Sequence, residues 1–119
     1  MPTRTCSRTF MRLFMAGALA SLSHGAMALD EAAATATARQ NNCFNCHAVS
    51  KPNPDKDGPL YKDVAAKYKG KPDAVERLKT HLTTGEKAKF PDGHEEAHKI
   101  VKVKDAAELQ NLVEWILSR

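Results

Sequence analysis

Cys43-Phe44-Asn45-Cys46-His47 is a C-x-x-C-H stretch, and its reading decides the fold. Two cysteines three residues apart at a helix end present their thiols on one side. They are placed to add to the two vinyl groups of a single porphyrin, and the next residue is delivered beneath the iron. His47 supplies the nitrogen ligand needed there, so the five residues carry the signature of c-type haem attachment. Zinc needs about four ligands, and no second cysteine pair follows. A redox C-x-x-C of the thioredoxin kind expects strands alternating with helices, and no convincing strand is read here. A Cys43–Cys46 disulfide in the oxidised apo chain also remains open.

Upstream, residues 1–28 read as a secretory signal peptide, removed from the mature chain. Arg4, Arg8 and Arg12 form its charged region, Leu13 to Leu22 its apolar region, and Ala26-Met27-Ala28 its small-x-small cleavage site. An apolar run of this length is too short to span a bilayer, which needs about twenty residues. The expectation is a soluble, exported, periplasmic protein beginning at Leu29, with no membrane span. Cys6 leaves with the leader.

Removing the leader changes the charge balance. The whole chain has 18 Lys+Arg against 14 Asp+Glu, a net charge of +4. Without the three leader arginines the mature chain is 15 against 14, close to neutral, which argues against nucleic-acid binding. All four methionines, Met1, Met11, Met15 and Met27, lie in the leader too. Residues 29–119 then form one domain, with a core small enough to gain from a covalently held haem.

Four helices are predicted in that domain. Asp30 caps a first helix that runs to about Asn42 and delivers Cys43. Lys51-Pro52-Asn53-Pro54-Asp55 marks a loop. Leu60, Val64 and Tyr68 then recur at a four-residue spacing, the apolar face of a second helix that Gly70 stops. Pro72 and Asp73 open a third, with Val75, Leu78 and Leu82 inward and Gly85 as its C-terminal stop. The stretch from Glu86 to Lys104 has no clear period. Asp105 caps the last helix, Glu108 completes a capping-box pattern, and Leu109, Leu112, Val113 and Ile116 form its stripe. Phe44 is expected to pack inward, and Trp115 to be buried where helices meet.

The C-F-N-C-H at 43–47, the block Gly58-Pro59-Leu60-Tyr61-Lys62-Asp63-Val64-Ala65-Ala66-Lys67-Tyr68-Lys69-Gly70 and the closing capped helix with Trp115-Ile116-Leu117-Ser118 resemble the small class I bacterial monohaem cytochromes c of the c-551/c-552 type. The resemblance covers nearly the whole mature chain. It implies an all-α class I fold, about four short helices around one covalently attached haem c, with the first and last helices crossing. It implies that Cys43 and Cys46 form the thioethers and that His47 is the proximal iron ligand. It further implies that the Pro59 carbonyl accepts the His47 Nδ1 proton and that Leu60 packs on the haem face.

One feature departs from that family. Its sixth iron ligand is a methionine on the loop before the last helix, and residues 29–119 contain none. Seven residues before Asp105, where the family keeps its methionine, stands His98. His98 is therefore the expected distal ligand, with His94 the runner-up. An open or water-bound iron, ligation by Lys or Asn, and a separate metal site on His94, Glu95 and His98 compete with that assignment. His81 is read as structural. Histidine in place of methionine implies a lowered midpoint potential.

The function expected is one-electron transfer, without enzymatic activity of the chain itself. Its partners are other redox proteins of the exported compartment, steered by Lys51, Lys56, Lys62, Lys67, Lys69 and Lys71, and the protein is a monomer or weak oligomer. Two further functions compete with this one. The first is a haem-based binder or sensor of nitric oxide, carbon monoxide or oxygen, with a labile distal histidine. The second is a haem subunit of a larger enzyme complex.

Overall fold

Asp30 starts the first helix by accepting the Ala33 N–H at 2.9 Å, which satisfies one of the donors that a helix leaves open at its N-terminus. Helix α1 spans Glu31–Gln40. In this computed structural model the described residues are 27–119, so the expected leader lies outside them except for its last two positions. The helix does not run on to Cys43. It stops because Asn41 turns its side chain away to Lys102 and Asn42 takes a left-handed conformation, φ 58°, which asparagine tolerates better than most residues. A separate 3-10 turn, Cys43–Asn45, then carries the cysteines.

Helix α2 is Tyr61–Tyr68 and helix α3 is Ala74–Thr84. Gly85 ends α3 with φ 68°, the left-handed C-terminal stop expected of it. Helix α4 is Ala106–Leu117, capped by Asp105, whose side chain accepts the Glu108 N–H at 2.8 Å. The Glu108 carboxylate does not close a reciprocal box on Asp105. It accepts the Lys104 N–H at 2.8 Å and the Thr37 hydroxyl at 2.7 Å, and so joins α4 to α1.

The crossing of α1 and α4 is the centre of the core. Ala34, Ala38, Leu112 and Val113 are fully buried there. The small alanines of α1 let the helices approach closely, and Asn111 brackets the main chain of Asp30 with bonds of 2.9 and 2.8 Å. Leu78 and Leu82 of α3 and Tyr61 of α2 close the core against α4. Trp115 is buried as expected, edge-on to Tyr61 (5.5 Å) and Phe44 (6.2 Å). Its indole N–H has no hydrogen-bond partner among the described residues. The Glu31 carboxylate, held low chiefly by Arg119 and more weakly by this indole, is its polar neighbour without reaching hydrogen-bond geometry.

Two further expectations need correction. In α2 the buried residues are Tyr61 and Ala65; Leu60, Val64 and Tyr68 are only half-buried. The helix is rotated so that the bulkiest ring, Tyr61, fills the space beside Trp115. Leu60 stands just before the helix and faces a cleft instead. The second correction lies between α3 and α4, where a small hairpin forms. Strands β1 (Lys87–Lys89) and β2 (Glu95–Ala97) pair antiparallel, Lys87 opposite Ala97 and Lys89 opposite Glu95. Phe90-Pro91-Asp92-Gly93 makes its turn: the Gly93 N–H reaches the Phe90 carbonyl at 2.9 Å, and Gly93 has φ 92°. The fold remains mostly helical.

Candidate haem site

The histidine of the C-x-x-C-H stretch sits in a main-chain ladder. Gly58 N–H donates to the Cys46 carbonyl at 2.8 Å, Tyr61 N–H to Ala48 at 3.0 Å and Lys62 N–H to Val49 at 3.0 Å. These bonds lay the 58–62 segment against 46–49, and they satisfy the start of α2, which has no capping side chain. Midway along the ladder, His47 Nδ1 lies 2.7 Å from the Pro59 carbonyl. A carbonyl only accepts, so Nδ1 carries the hydrogen and Nε2 the free lone pair.

Gly58 makes this approach possible. A Cβ there would stand 2.7 Å from the Cys46 carbonyl oxygen and 2.7 Å from His47 Cε1, closer than any side chain tolerates. On the ring's other side Tyr61 stacks at 5.1 Å, 18° from parallel. Burial pushes the Tyr61 phenol far above its usual range, so it remains a neutral hydroxyl, in contact with Cys43. Burial also raises the half-buried Cys43 thiol, while Cys46 is exposed; neither cysteine is in a disulfide.

The two candidate distal histidines are in different places. Neither lies on a helix: His94 is in the hairpin turn and His98 follows β2. The His94 ring stacks on Phe90 at 4.4 Å and is held by the Asp92 carboxylate, with Glu96 3.4 Å from Nε2. The Asp92 bond raises its pKa. Glu95 reaches across the hairpin to Lys87 at 4.0 Å. Among the described residues no three metal-binding side chains are gathered, so the separate site on His94, Glu95 and His98 does not form.

His98 is half-buried, and its ring centre lies 6.2 Å from that of His47, the planes tilted by 43°. Its Nδ1 is 2.9 Å from the Lys99 carbonyl, which again leaves the lone pair on Nε2. Burial lowers the pKa of His98, helped by the nearby His81 charge, and burial likewise lowers that of His47. Both rings are therefore neutral at neutral pH, the form a metal binds.

The distance between the two rings can be compared with the spacing that one metal between two imidazoles requires. Metal–imidazole bonds of about 2 Å place nitrogens across one metal about 4 Å apart and the ring centres about 6 Å apart. The separation of His47 and His98 fits that spacing. A cleft of about 670 Å3 is lined by Gly58, Pro59, Leu60, Phe90 and Pro91, among others, and reaches the segment that holds His47 without including either histidine.

Comparison with known proteins identifies the family. The family model for cytochrome c matches residues 32–119. The chain belongs to the cytochrome c family. It is 33% identical over 81 residues to cytochrome c-552 of Hydrogenobacter thermophilus, an alignment covering 68% of this chain and 76% of the relative. Among solved structures it is similar to the class 1 cytochrome MtoD of Sideroxydans lithotrophicus ES-1, with 58% identity and a TM-score of 0.70 over 76% of this chain and 97% of that one. It is also similar to cytochrome c552 of Nitrosomonas europaea, with 33% identity and a TM-score of 0.52, covering 71% and 96%. This cytochrome thus has the class I fold and carries haem c with its iron, covalently attached. No helix among the described residues is long and apolar enough to cross a membrane.

Sequence reasoning missed three contributors to the site. Tyr61 was hidden by the apparent Leu60 stripe. Asn41 bonds both the N–H and the C=O of Lys102, at 2.7 and 3.0 Å, and fastens the segment after His98 to the end of α1. His81 packs its ring centre 4.3 Å from that of His98. Only the apolar 61/65 pair, rival to the 60/64/68 stripe, offered a local signal, and it served Tyr61 alone.

Proposed function

We propose that this cytochrome is a periplasmic one-electron carrier, with Cys43 and Cys46 holding the haem and His47 and His98 its axial ligands. The observation that carries the reading is the pairing of His47 and His98: both tied at Nδ1 to main-chain carbonyls, both open at Nε2, and 6.2 Å apart. The haem supplies exchange of one electron between its ferrous and ferric states. The protein's share is to keep the ligands fixed during that exchange. Pro59 and Tyr61 fix His47, and the Lys99 and Glu86 carbonyls fix the ring and main chain of His98. Leu60 supplies apolar contact at the cleft. Residues 1–28 serve as a cleaved export signal, and residues 29–119 are the mature domain.

No group beyond these is asked to make or break a bond, so the chain alone is not an enzyme. Redox proteins are its partners. Exposed Lys51, Lys62, Lys67, Lys69 and Lys71 remain available to an acidic partner, whereas Lys56 is turned onto the Phe44 carbonyl. Imidazole in place of a thioether favours ferric iron, so the midpoint potential lies well below that of His/Met relatives.

The test is the absorption spectrum of the reduced holoprotein before and after carbon monoxide. An unchanged spectrum is expected, with His98→Ala acquiring a carbon monoxide adduct and His94→Ala behaving as the parent. Rapid adduct formation in the parent protein would overturn the carrier reading in favour of small-ligand binding.

A further inference from the structure

The distal histidine has a neighbour that the electron-carrier reading does not use. His81, half-buried on the last turns of α3, lies against His98 with ring centres 4.3 Å apart and planes tilted by 46°. This is contact at the near limit for two rings. His81 is itself immobilised: its Nδ1 donates to Glu86 Oε1 at 2.6 Å, and the same carboxylate oxygen takes Arg77 at 2.6 Å. Glu86 also accepts the His98 N–H on its main-chain carbonyl, at 2.9 Å. One residue therefore holds the backbone of His98 at one end and the ring beside it at the other. The left-handed turn at Gly85 makes this double contact possible by bringing Glu86 back over the end of α3.

His98 needs such a neighbour. Its one side-chain bond goes to the carbonyl of the next residue, Lys99. That bond selects the tautomer but moves with the local chain. An imidazole held only in this way keeps freedom about its Cβ–Cγ bond, and the chain before it is an exposed hairpin.

We propose that His81, anchored by Glu86, is a positioning residue that sets the plane of the distal imidazole and resists its detachment. The inference rests on His98 being the sixth ligand. Outer partners of metal ligands commonly change metal affinity or activity ten- to a hundredfold. The role is steric and orienting: it requires an aromatic wall fixed beside His98, not a ligand and not a change of charge.

Three variants of the holoprotein test this: His81→Ala, His81→Phe and His98→Ala. Low-temperature electron paramagnetic resonance of the ferric protein reports the relative orientation of axial rings through its largest g value. Carbon monoxide binding to the reduced protein reports ligand detachment. His81→Ala is expected to shift and broaden the low-spin signal and to speed carbon monoxide binding about tenfold or more. His81→Phe restores the wall and is expected to return both readouts most of the way to the parent values, while His98→Ala loses the parent low-spin signal.

If His98→Ala loses that signal while His81→Ala matches the parent in both readouts, the positioning role is wrong and the ligand assignment stands. Where His81→Ala loses low-spin character and His98→Ala keeps it, His81 is the ligand and both readings fall. Neither variant altering the signal would place the sixth ligand elsewhere, and positioning fails with it. His81→Phe behaving like His81→Ala would overturn the steric account.

Discussion

The two sides of the haem site are built in opposite ways. On the side of His47 the parts come from two short runs, 43–49 and 58–62, joined by a main-chain ladder. On the side of His98 they come from the residue after α1, from α3 and the chain just beyond it, and from the chain after β2: Asn41, His81, Glu86 and Lys99. The proximal side is held by backbone bonds of neighbouring residues, and substitution rarely removes such bonds. The distal side combines the Glu86 and Lys99 carbonyls with side chains from distant positions, Asn41 and His81, and those side chains are removable. The proximal half is thus fixed by local chemistry, and the distal half by the packing of the whole domain.

The largest effect is expected at Gly58, where the ladder has no slack. In Gly58→Ala the new methyl meets the Cys46 carbonyl oxygen and the His47 ring at 2.7 Å, and neither is the far end of a flexible chain. Forced crowding of this kind costs roughly 1–3 kcal/mol. Thermal unfolding of the holoprotein should show it, along with a loosened His47–Pro59 bond and a shifted potential. A melting temperature equal to that of the parent would show that the proximal side is as adaptable as the distal one.

The same contrast explains what could be read from sequence. C-x-x-C-H is contiguous and dictated by bond-forming distances, so haem attachment was legible in the residues themselves, whereas the His47–Pro59 bond came only from the family resemblance of the Gly58-Pro59 block. Helix ends were legible for the same reason, since Asp30, Asp105 and Gly85 act on residues within a turn of themselves. The hairpin was not. Its strands, Lys87-Ala88-Lys89 and Glu95-Glu96-Ala97, are short and exposed, with no apolar alternation to mark them. Pro91-Asp92-Gly93 did spell a turn, but without flanking hydrophobic residues a turn alone does not announce strands. Leu60 and Tyr61 begin rival stripes one residue apart, and only the presence of Trp115 decides between them. His81 and Asn41 act across the fold, where no spacing in the sequence records the partner.

A middle-sized effect is expected at Asn41. Asn41→Ala removes both bonds to Lys102, and hydrogen bonds of this kind are worth about 0.5–1.5 kcal/mol each. The loss should be local. Amide exchange should accelerate at His98, Val101 and Lys102, while the amides of Gly58, Tyr61 and Lys62 keep the parent's protection. Equal acceleration on both sides would dissolve the distinction between them, because it would mean that the site opens as one unit.

The smallest effect belongs to the hairpin turn, and it concerns pH. Asp92 raises the pKa of His94 because the hydrogen bond to its carboxylate favours the charged ring. A folded pKa above the unfolded one stabilises the protein fully below the ordinary histidine value of about 6.5 and is lost as pH rises through the raised value. Asp92 is shifted the other way, lowered first by the His94 N–H and then by its ring. Its contribution is present above the ordinary aspartate range and is lost as pH falls through the lowered value. The turn is therefore tightest in mildly acidic solution, between the two. Both groups are exposed, so solvent screening keeps the gain small and confined to the hairpin. Proton resonance of the His94 ring should titrate above about 6.5 in the parent and move back toward that value in Asp92→Asn. The haem spectrum should stay constant across the same titration, because this ring is engaged by Phe90 and Asp92 and not by iron. A haem band that followed the His94 curve would bring the hairpin tip into the distal site, and the distal side would then depend on a turn as well as on the packed segment around His98.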